Sequence, residues 1–253
     1  MLDKSKYAII GFGVMGKAIV SSLISKGKVD PKNIKVAEPN PEQLALLSKE
    51  FGILGSVDNG EVVKDAEIVI LAVKPQRFDL VAKSIKNHIR PDALVISIIA
   101  GASLVTLVEK LGVQQIVRTM PNTASQIGMG ITVWVTTDQV SDEKKEVASK
   151  ILQTFGEEVF VDDEGYLDMA TALSGTGPAY VFLFMESMID AGVHMGFPRR
   201  IAEKLVVQTI RGSTEFYLQN HEHPARLRND VTSPGGTSAE ALYYLEKAGF
   251  RTA

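Results

Sequence analysis

Short runs of apolar residues alternate with segments of helical periodicity through about the first 160 residues. Short segments rich in apolar residues, mostly Ile and Val, predict strands at 7–10, 34–37, 68–73, 94–99 and 116–120. Between two of these runs, Leu44, Leu47 and Phe51 lie on one face of a predicted helix. Such runs are typical of parallel strands buried on both faces. The pattern therefore predicts an α/β fold of Rossmann type, with a parallel, doubly wound sheet.

A glycine-rich turn directly follows the first predicted strand. Gly11, Gly13 and Gly16 have the spacing G-x-G-x-x-G, and a helical pattern begins after them. In such a unit the first glycine makes the turn, the second admits a pyrophosphate and the third lets the helix pack on the strand. Glu38 ends the next strand about 20 residues on, where an acidic side chain would meet an adenosine ribose. The unit predicts dinucleotide binding, and a purely structural βαβ unit is the alternative.

The C-terminal ends of the predicted strands are expected to lie at one edge of the sheet, because crossover connections are right-handed. Ligands of such folds bind in the crevice at that edge. The segments expected there are 11–16, Glu38, 74–75, 100–101 and 121–122. Two more strands, at 130–136 and 158–161, and a helix at 142–155 are expected to complete the sheet, with Trp134 in its core.

After Asp163 the sequence becomes almost entirely helical in pattern. Helices are predicted at 167–173, 178–195, 198–218, 224–230 and 238–247. The predicted organisation is a dinucleotide-binding domain, residues 1–164, followed by an all-helical domain for dimerisation and substrate binding, residues 165–253. The helix at 178–195 is apolar on nearly every side and is therefore expected to be deeply buried. A second subunit is the expected cover, and a purely internal core is the alternative.

A second glycine-rich turn, at 230–238, is the other candidate site. Gly235 and Gly236 allow unusual backbone shapes, and Thr237 or Ser238 is expected to cap the following helix. The free N–H groups at a helix start attract an anion such as a carboxylate or phosphate. An ordinary capped turn is the alternative for this stretch.

Composition and charge narrow the possible functions. The net charge of −3 provides no basic field, so nucleic acid is not an expected partner. The sequence contains no cysteine, which excludes disulfides and thiol catalysis and fits a reducing, cytoplasmic location. We expect neither a secretory signal at residues 1–6 nor a membrane span, since the longest apolar helical stretch is far shorter than about 20 residues.

Three further residues could suggest chemistry. His221 and His223 are interpreted as parts of a solvated loop, so no metal site is expected. Ser174 lacks the spacing of an activated nucleophile and is interpreted as part of a tight turn before the apolar helix.

Taken together, the two halves resemble the pyrroline-5-carboxylate reductase family over essentially the whole chain. In the first half the resemblance rests on 11–16, the Ala-Val-Lys-Pro of 72–75 and the Arg-Thr-Met-Pro-Asn of 118–122. More specific are Leu-Ser-Gly-Thr-Gly-Pro-Ala-Tyr at 173–180 and Asp-Val-Thr-Ser-Pro-Gly-Gly-Thr at 230–237. The resemblance implies hydride transfer from NADPH or NADH to 1-pyrroline-5-carboxylate, a cyclic imino acid, to give L-proline. It also implies a homodimer, which can assemble further.

The resemblance and the glycine-rich motif together predict a set of site residues. Those expected to contact the dinucleotide are Ile10, Gly11, Phe12, Gly13, Val14, Met15, Gly16, Glu38, Asn59, Ala72, Val73, Lys74, Pro75, Ile98, Ile99 and Ala100. Those expected to contact the substrate are Glu164, Asp230, Gly235, Gly236, Thr237 and Ser238. A hydroxyl of Thr237 or Ser238 is expected to form a hydrogen bond with the ring nitrogen of the substrate, which is the catalytic role assigned to these two residues.

The sequence departs from the family pattern at three places. Ser238 stands where members often carry Thr, and Glu38 stands where many carry a small or hydroxyl residue, which leaves the choice between NADH and NADPH open. The family pattern continues through another helix after residues 249–251, whereas this sequence ends at Ala253. Two other functions remain as alternatives: a different Rossmann imine or β-hydroxyacid reductase, and a non-catalytic dinucleotide sensor.

Overall fold

The structure, a computed structural model, describes residues 2–252 and contains an eight-stranded sheet. The strands are β1 (Tyr7–Ile10), β2 (Ile34–Ala37), β3 (Leu54–Ser56), β4 (Ile68–Leu71), β5 (Leu94–Ser97), β6 (Ile116–Met120), β7 (Gly130–Thr136) and β8 (Gly156–Phe160). Their order is β3-β2-β1-β4-β5-β6-β7-β8. The first six strands are parallel in this order, so the C-terminal ends of β1 to β6 lie at one edge, which we call the ligand edge.

Helices cover the sheet on both faces. The chain forms α1 (Val14–Ser25), α2 (Pro41–Phe51), α3 (Asn59–Val63), α4 (Phe78–Ile85), α5 (Leu104–Leu111) and α6 (Asp142–Gln153). Side chains alternate along each strand, so Ile9 belongs to one apolar cluster, with α1, α2 and α6, while Ile10 belongs to the other, with α3, α4 and α5. The predicted doubly wound α/β fold is thereby confirmed.

The last two strands correct the sequence-based expectation of an all-parallel sheet. β7 is antiparallel to β6, and β8 is parallel to β7. Only a short connection, containing a 3₁₀ turn at Thr123–Ile127, joins β6 to β7. A parallel crossover needs a dozen or more residues, so the chain reverses direction here. Trp134 is buried in β7, as predicted.

Strand ends were also predicted too long. The apolar runs at 68–73 and 94–99 leave the sheet after Leu71 and Ser97, respectively. The short edge strand β3 was not predicted, because its sequence, Leu-Gly-Ser, carries no alternation of apolar and polar residues. These differences shift Ala72, Val73 and Ile98 from strands into the loops of the ligand edge.

The later helices are α7 (Tyr166–Ala170), α8 (Gly177–His194), α9 (Arg199–Asn220), α10 (Pro224–Asp230) and α11 (Thr237–Lys247). By its internal contacts the chain divides into a first unit that ends at Tyr180 and a second that begins at Val181. The boundary near residue 164 stays a prediction. Across residues 2–252, no helix is both long enough and apolar enough to cross a membrane.

Helix α8 does not show the deep burial expected of it in the single chain. Leu183 is 63% exposed, and Tyr180 and Phe182 are similarly open. Gly192 is the buried residue of this helix. An all-round apolar helix needs cover on every side, and one copy of the chain does not provide it.

The segment before α8 is a helical turn of π type, Thr171–Gly175, rather than the tight turn predicted around Ser174. The N–H of Thr176 donates to the carbonyl of Thr171 over 2.9 Å. This hydrogen bond joins residues five apart, as in a π-helix, and keeps the backbone helical. The Ser174 hydroxyl donates to the carbonyl of Ala170.

Candidate active site

The three glycines of the first loop have different steric surroundings. A Cβ atom at Gly11, where φ is +92°, would lie 2.7 Å from Cγ1 of Val73. A Cβ atom at Gly16 would lie 2.2 Å from the carbonyl oxygen of Gly11. At Gly13 a Cβ atom would meet nothing within 4 Å. Packing therefore requires glycine at Gly11 and Gly16, whereas Gly13 faces open space that a ligand can enter.

The first turn of α1 provides an anion site beside Gly13. Gly13 is the N-cap residue, and no side chain among residues 2–252 caps the first N–H groups of the helix. Val14, the first residue of α1, is largely exposed. Unpaired N–H groups and the positive end of the helix dipole suit a pyrophosphate. The open space at Gly13 and the uncapped helix start both fit a dinucleotide.

Hydrogen bonds bring the neighbouring strand ends together at the ligand edge. The N–H of Gly11 donates to Ala37 over 3.3 Å, and the N–H of Ala72 donates to Ile10 over 2.8 Å. The N–H of Ile98 donates to Leu71 over 3.1 Å. The loops after β1, β2, β4 and β5 are thus adjacent.

The residues expected to contact the dinucleotide differ in accessibility. Exposed ones are Gly13, Val14, Lys74, Pro75 and Ala100. Partly exposed ones are Gly11, Met15, Asn59, Ala72, Val73 and Ile98. Buried ones are Ile10, Phe12, Gly16, Glu38 and Ile99. Phe12 packs edge-on against Phe51 with ring centroids 6.0 Å apart, so its side chain belongs to the core.

Glu38 is held at the end of β2, as the sequence predicted. It is 9% exposed, and its Oε1 atom accepts a hydrogen bond of 3.1 Å from the N–H of Asn40. Its own N–H donates to the carbonyl of Ser56. Oε2 has no partner among the described residues and remains available to accept a hydrogen bond.

Asn59 is partly engaged within the protein. Its Nδ2 atom donates to the hydroxyl of Ser84 over 3.0 Å and so links α3 to α4. Its Oδ1 atom has no protein donor within the described part of the chain. Lys74 precedes a 3₁₀ turn at Pro75–Arg77 and is exposed.

Glu164 belongs to a charged cluster that the sequence analysis did not identify. Its Oε1 atom accepts hydrogen bonds of 2.7 Å from Nη1 of Arg118 and from the N–H of Leu104. A second nitrogen of Arg118, Nη2, lies 3.2 Å from Oδ1 of Asp168. The available signal was an arginine within the apolar run of β6, because a buried charge requires a partner.

The second glycine-rich turn lies in the unit that begins at Val181. Gly235 has φ of +70°, which favours glycine, and Gly236 is the N-cap of α11. No side chain caps this helix, so the predicted capping by Thr237 or Ser238 is wrong. Both residues are already inside the first turn of α11, and their hydroxyls form no hydrogen bond with a described residue.

Two other residues of this region have local partners. Asp230 ends α10, and its Oδ1 atom accepts a hydrogen bond of 3.2 Å from Nε of Arg226. The Nδ1 atom of His223 accepts from the N–H of Ala225 and caps α10, which is a structural role. Gly235, Gly236, Thr237 and Ser238 therefore form an uncapped helix start with free hydroxyls, suited to an anion.

Comparison with known proteins matches both halves of the chain. A family model described as pyrroline-5-carboxylate reductase dimerisation matches residues 164–253, and one described as NADP oxidoreductase, coenzyme F420-dependent, matches residues 6–101. The pyrroline-5-carboxylate reductase of Synechocystis is 41% identical over 97% of this chain and 91% of its own length. The chain belongs to the pyrroline-5-carboxylate reductase family.

Two further members of the pyrroline-5-carboxylate reductase family agree with this assignment. The Escherichia coli protein is 39% identical over 99% of this chain and 93% of its own. The crystal structure of the Plasmodium falciparum enzyme, with NADP bound, superposes with a TM-score of 0.90 at 33% identity. That superposition covers 99% of this chain and 92% of the other. The fold expected from the resemblance is thus confirmed.

The steric difference between Gly13 and Gly16 gives a paired prediction for this family member. We expect Gly13→Val to fold normally, since its φ of −71° and ψ of −164° suit any residue, and to weaken dinucleotide binding at least tenfold, about 1.4 kcal/mol. We expect Gly16→Ala to lower the unfolding free energy by about 1–3 kcal/mol through overpacking. Thermal unfolding and fluorescence titration with NADPH and NADH measure both effects. Unchanged affinity in Gly13→Val would contradict the assigned position of the pyrophosphate.

Proposed function

We propose that this protein reduces 1-pyrroline-5-carboxylate to L-proline with NADPH or NADH, the last step of proline biosynthesis. Family membership over nearly the whole chain carries the proposal. Two features support it: the open glycine loop at Gly13 and the uncapped helix start at Gly236. One suits the pyrophosphate of a dinucleotide, and the other suits the carboxylate of a small imino acid.

The first unit binds the cofactor at the ligand edge. When bound, the nicotinamide supplies the hydride that the C=N carbon of the substrate accepts. The first turn of α1 holds the pyrophosphate, and Oε2 of Glu38 accepts a hydrogen bond from a ribose hydroxyl. The loops that complete the contact surface are 10–16, Asn59, 72–75 and 98–100.

The second unit binds the substrate. Backbone N–H groups of the first turn of α11, after Gly236, hold the substrate carboxylate, and Asp230, Gly235 and Gly236 border it. A hydroxyl of Thr237 or Ser238 donates a hydrogen bond to the ring nitrogen or accepts one from its protonated form. A cyclic imine becomes a good hydride acceptor once protonated, so the protein mainly aligns two reactants and excludes water.

Assembly as a homodimer, which can associate further, is part of the proposal. It rests on the exposed apolar residues of α8 and on the match to a dimerisation domain. We place the protein in the cytoplasm, with no membrane or nucleic-acid partner, because the chain has a net charge of −3 and no cysteine.

The reaction is tested by following NAD(P)H oxidation with three substrates offered in turn. We expect turnover with pyrroline-5-carboxylate to exceed that with a six-membered cyclic imine and with a β-keto acid. Gly13→Val serves as a folded control with weakened cofactor binding. Preference for the β-keto acid would indicate a β-hydroxyacid reductase, and binding of cofactor without any turnover would indicate a sensor.

The two hydroxyls of α11 are tested by removing them. We expect the double variant Thr237→Ala with Ser238→Ala to bind dinucleotide normally and to lose about 1–3 kcal/mol in kcat/KM, the cost of an unmade hydrogen bond. Thr214→Ala is the control, because this exposed hydroxyl donates to the carbonyl of Ile210 within its own helix. A double variant as active as the wild type would restrict the site to backbone groups.

Cofactor preference is tested at Glu38. A carboxylate accepts a hydrogen bond from a ribose 2′-hydroxyl and repels a 2′-phosphate. We therefore expect NADH to compete with NADPH, and Glu38→Ser to shift the ratio of kcat/KM values toward NADPH. A wild type that favours NADPH tenfold, or roughly 1.4 kcal/mol, would place Glu38 away from the 2′ position.

Subunit association is tested at Leu183 of α8. Phe184 already packs near Phe250 of the same chain, with ring centroids 6.0 Å apart. Leu183 is more exposed in the single chain, so its substitution is the more specific test of contact with a second subunit. We expect Leu183→Glu to reduce the sedimentation coefficient to that of a monomer or to prevent folding, because a buried unpaired charge is costly. Leu46→Glu, at a similarly exposed leucine of α2, should not change association. A stable, active wild-type monomer at micromolar concentration would refute the dimer.

A further inference from the structure

Arg118 is a charged residue within the hydrophobic part of the sheet. It lies in β6 and is 6% exposed, and the neighbouring Val117 is fully buried. An ionised group with so little access to water needs charged partners and hydrogen bonds. Its charged partners are Glu164 and Asp168, which lie 46 and 50 residues further along the chain.

The two carboxylates contribute unequally to this cluster. The side chain of Glu164 is 29% exposed and lies 2.7 Å from Arg118, whereas that of Asp168 is 80% exposed and lies 3.2 Å away. Exposed ion pairs contribute little because water and salt screen them. The pair of Arg118 and Glu164 is therefore the main connection, and Asp168 provides a natural control.

Glu164 also holds the start of α5. The N–H of Leu104, the first residue of α5, donates to its Oε1 atom over 2.7 Å. The first N–H groups of a helix have no partner within the helix, and a carboxylate there is favourable. The loop that leads into α5 contains Ile98 to Ala100, which are among the proposed dinucleotide contacts.

The other end of the same helical segment touches the end of β6. A Cβ atom at Gly175 would lie 2.5 Å from Cε of Met120, so the π-helical turn packs closely on the last residue of this strand. Leu167, in α7 between these two contacts, is buried. The segment 164–175 is thus fixed at one end by Arg118 and at the other by Met120.

We propose that Arg118 and Glu164 are positioning residues for the reduction, and that Glu164 acts in this way rather than as a substrate ligand. Their ion pair sets two segments of the ligand edge relative to each other, the loop 98–100 before α5 and the end of β6 at Met120. The Oε1 atom of Glu164 already accepts hydrogen bonds from Arg118 and Leu104, so this oxygen is committed to the protein. The inference rests on the proposed function for its kinetic test.

The experiment compares Arg118→Met, Arg118→Lys, Glu164→Gln and the double variant Arg118→Met with Glu164→Gln, with Asp168→Asn as the matched control. Steady-state kinetics with pyrroline-5-carboxylate are measured below the unfolding temperature of every variant. We expect Arg118→Met and Glu164→Gln to lower kcat by up to about 100-fold, as small misplacements of reacting groups do, with little change in the KM for the imine. The double variant should lose no more than the worse single variant, because the two residues act as a unit.

Arg118→Lys should recover part of the lost kcat, since it keeps the charge but not the forked geometry. Asp168→Asn should behave like the wild type. A Glu164→Gln variant with a strongly raised KM and unchanged kcat, beside a normal Arg118→Met, would establish Glu164 as a substrate ligand and overturn the proposal. Variants that lose thermal stability but keep wild-type kcat would overturn it too, by showing a purely structural role.

Amide hydrogen exchange separates this inference from the proposed function. In Arg118→Met we expect faster exchange at the start of α5 and in 164–176, with Asp168→Asn unchanged. If the wild type did not reduce pyrroline-5-carboxylate, the proposed function would fail alone, and exchange would still decide whether the ion pair orders these two segments. Unchanged exchange in Arg118→Met would overturn the inference whatever the activity.

Discussion

Burial of the central strands on both faces is the constraint on which the rest of the first unit depends. Every residue of β1 is at most 1% exposed, and β4 and β5, the next two strands on one side of it, are also buried throughout. A strand covered on both sides needs helices above and below the sheet, and parallel strands need crossovers to connect them. This requirement places the C-terminal ends of β1 to β6 at one edge. Loops from distant parts of the sequence, including those proposed to bind the dinucleotide, then lie side by side at that edge.

The polar groups at this edge differ in whether they have a partner within the protein. Glu164 and the amide nitrogen of Asn59 are bonded to neighbouring protein groups. Gly13 and the first turn of α1 remain without a cap. The side chains with internal partners connect the loops, and the backbone groups without partners are those that the proposed function assigns to the ligand. In the proposed reaction, preorganisation of this kind would align two reactants without an elaborate set of acids and bases.

Much of this arrangement could be predicted from the sequence because its signals are local. The buried strands, the glycine loop and helices such as α10 follow from short-range patterns of apolar residues, Gly and Pro. The reversed direction of β7 was missed because it depends on the length of the connection after β6, not on the pattern of the strand itself. The predicted cap at Thr237 or Ser238 was displaced because the residue with extended backbone is Gly236. Assignment of the individual site residues remains a prediction from motif and resemblance.

The partners of Arg118 could not be predicted from the local sequence pattern, for a different reason. An arginine in an apolar run indicates that a carboxylate is needed, but not which one, since Glu164 is 46 residues away. The exposure of α8 is a similar case, because the pattern predicts burial without stating which chain provides the cover. Sequence periodicity indicates which surface must be buried. Which residues, of the same chain or of a partner, cover that surface depends on tertiary structure or association.

Because the apolar face of α8 is open in the single chain, the stability of the fold depends on the concentration of a partner that covers it. Any partner that covers Leu183 and its neighbours binds the folded chain and not the unfolded one, so it draws the folding equilibrium toward the native state by mass action. The free energy of unfolding then has no single value for an isolated chain and increases with the logarithm of the partner concentration. A newly made chain at low abundance therefore has a low free energy of unfolding, and its apolar helix is accessible to water and to unrelated proteins.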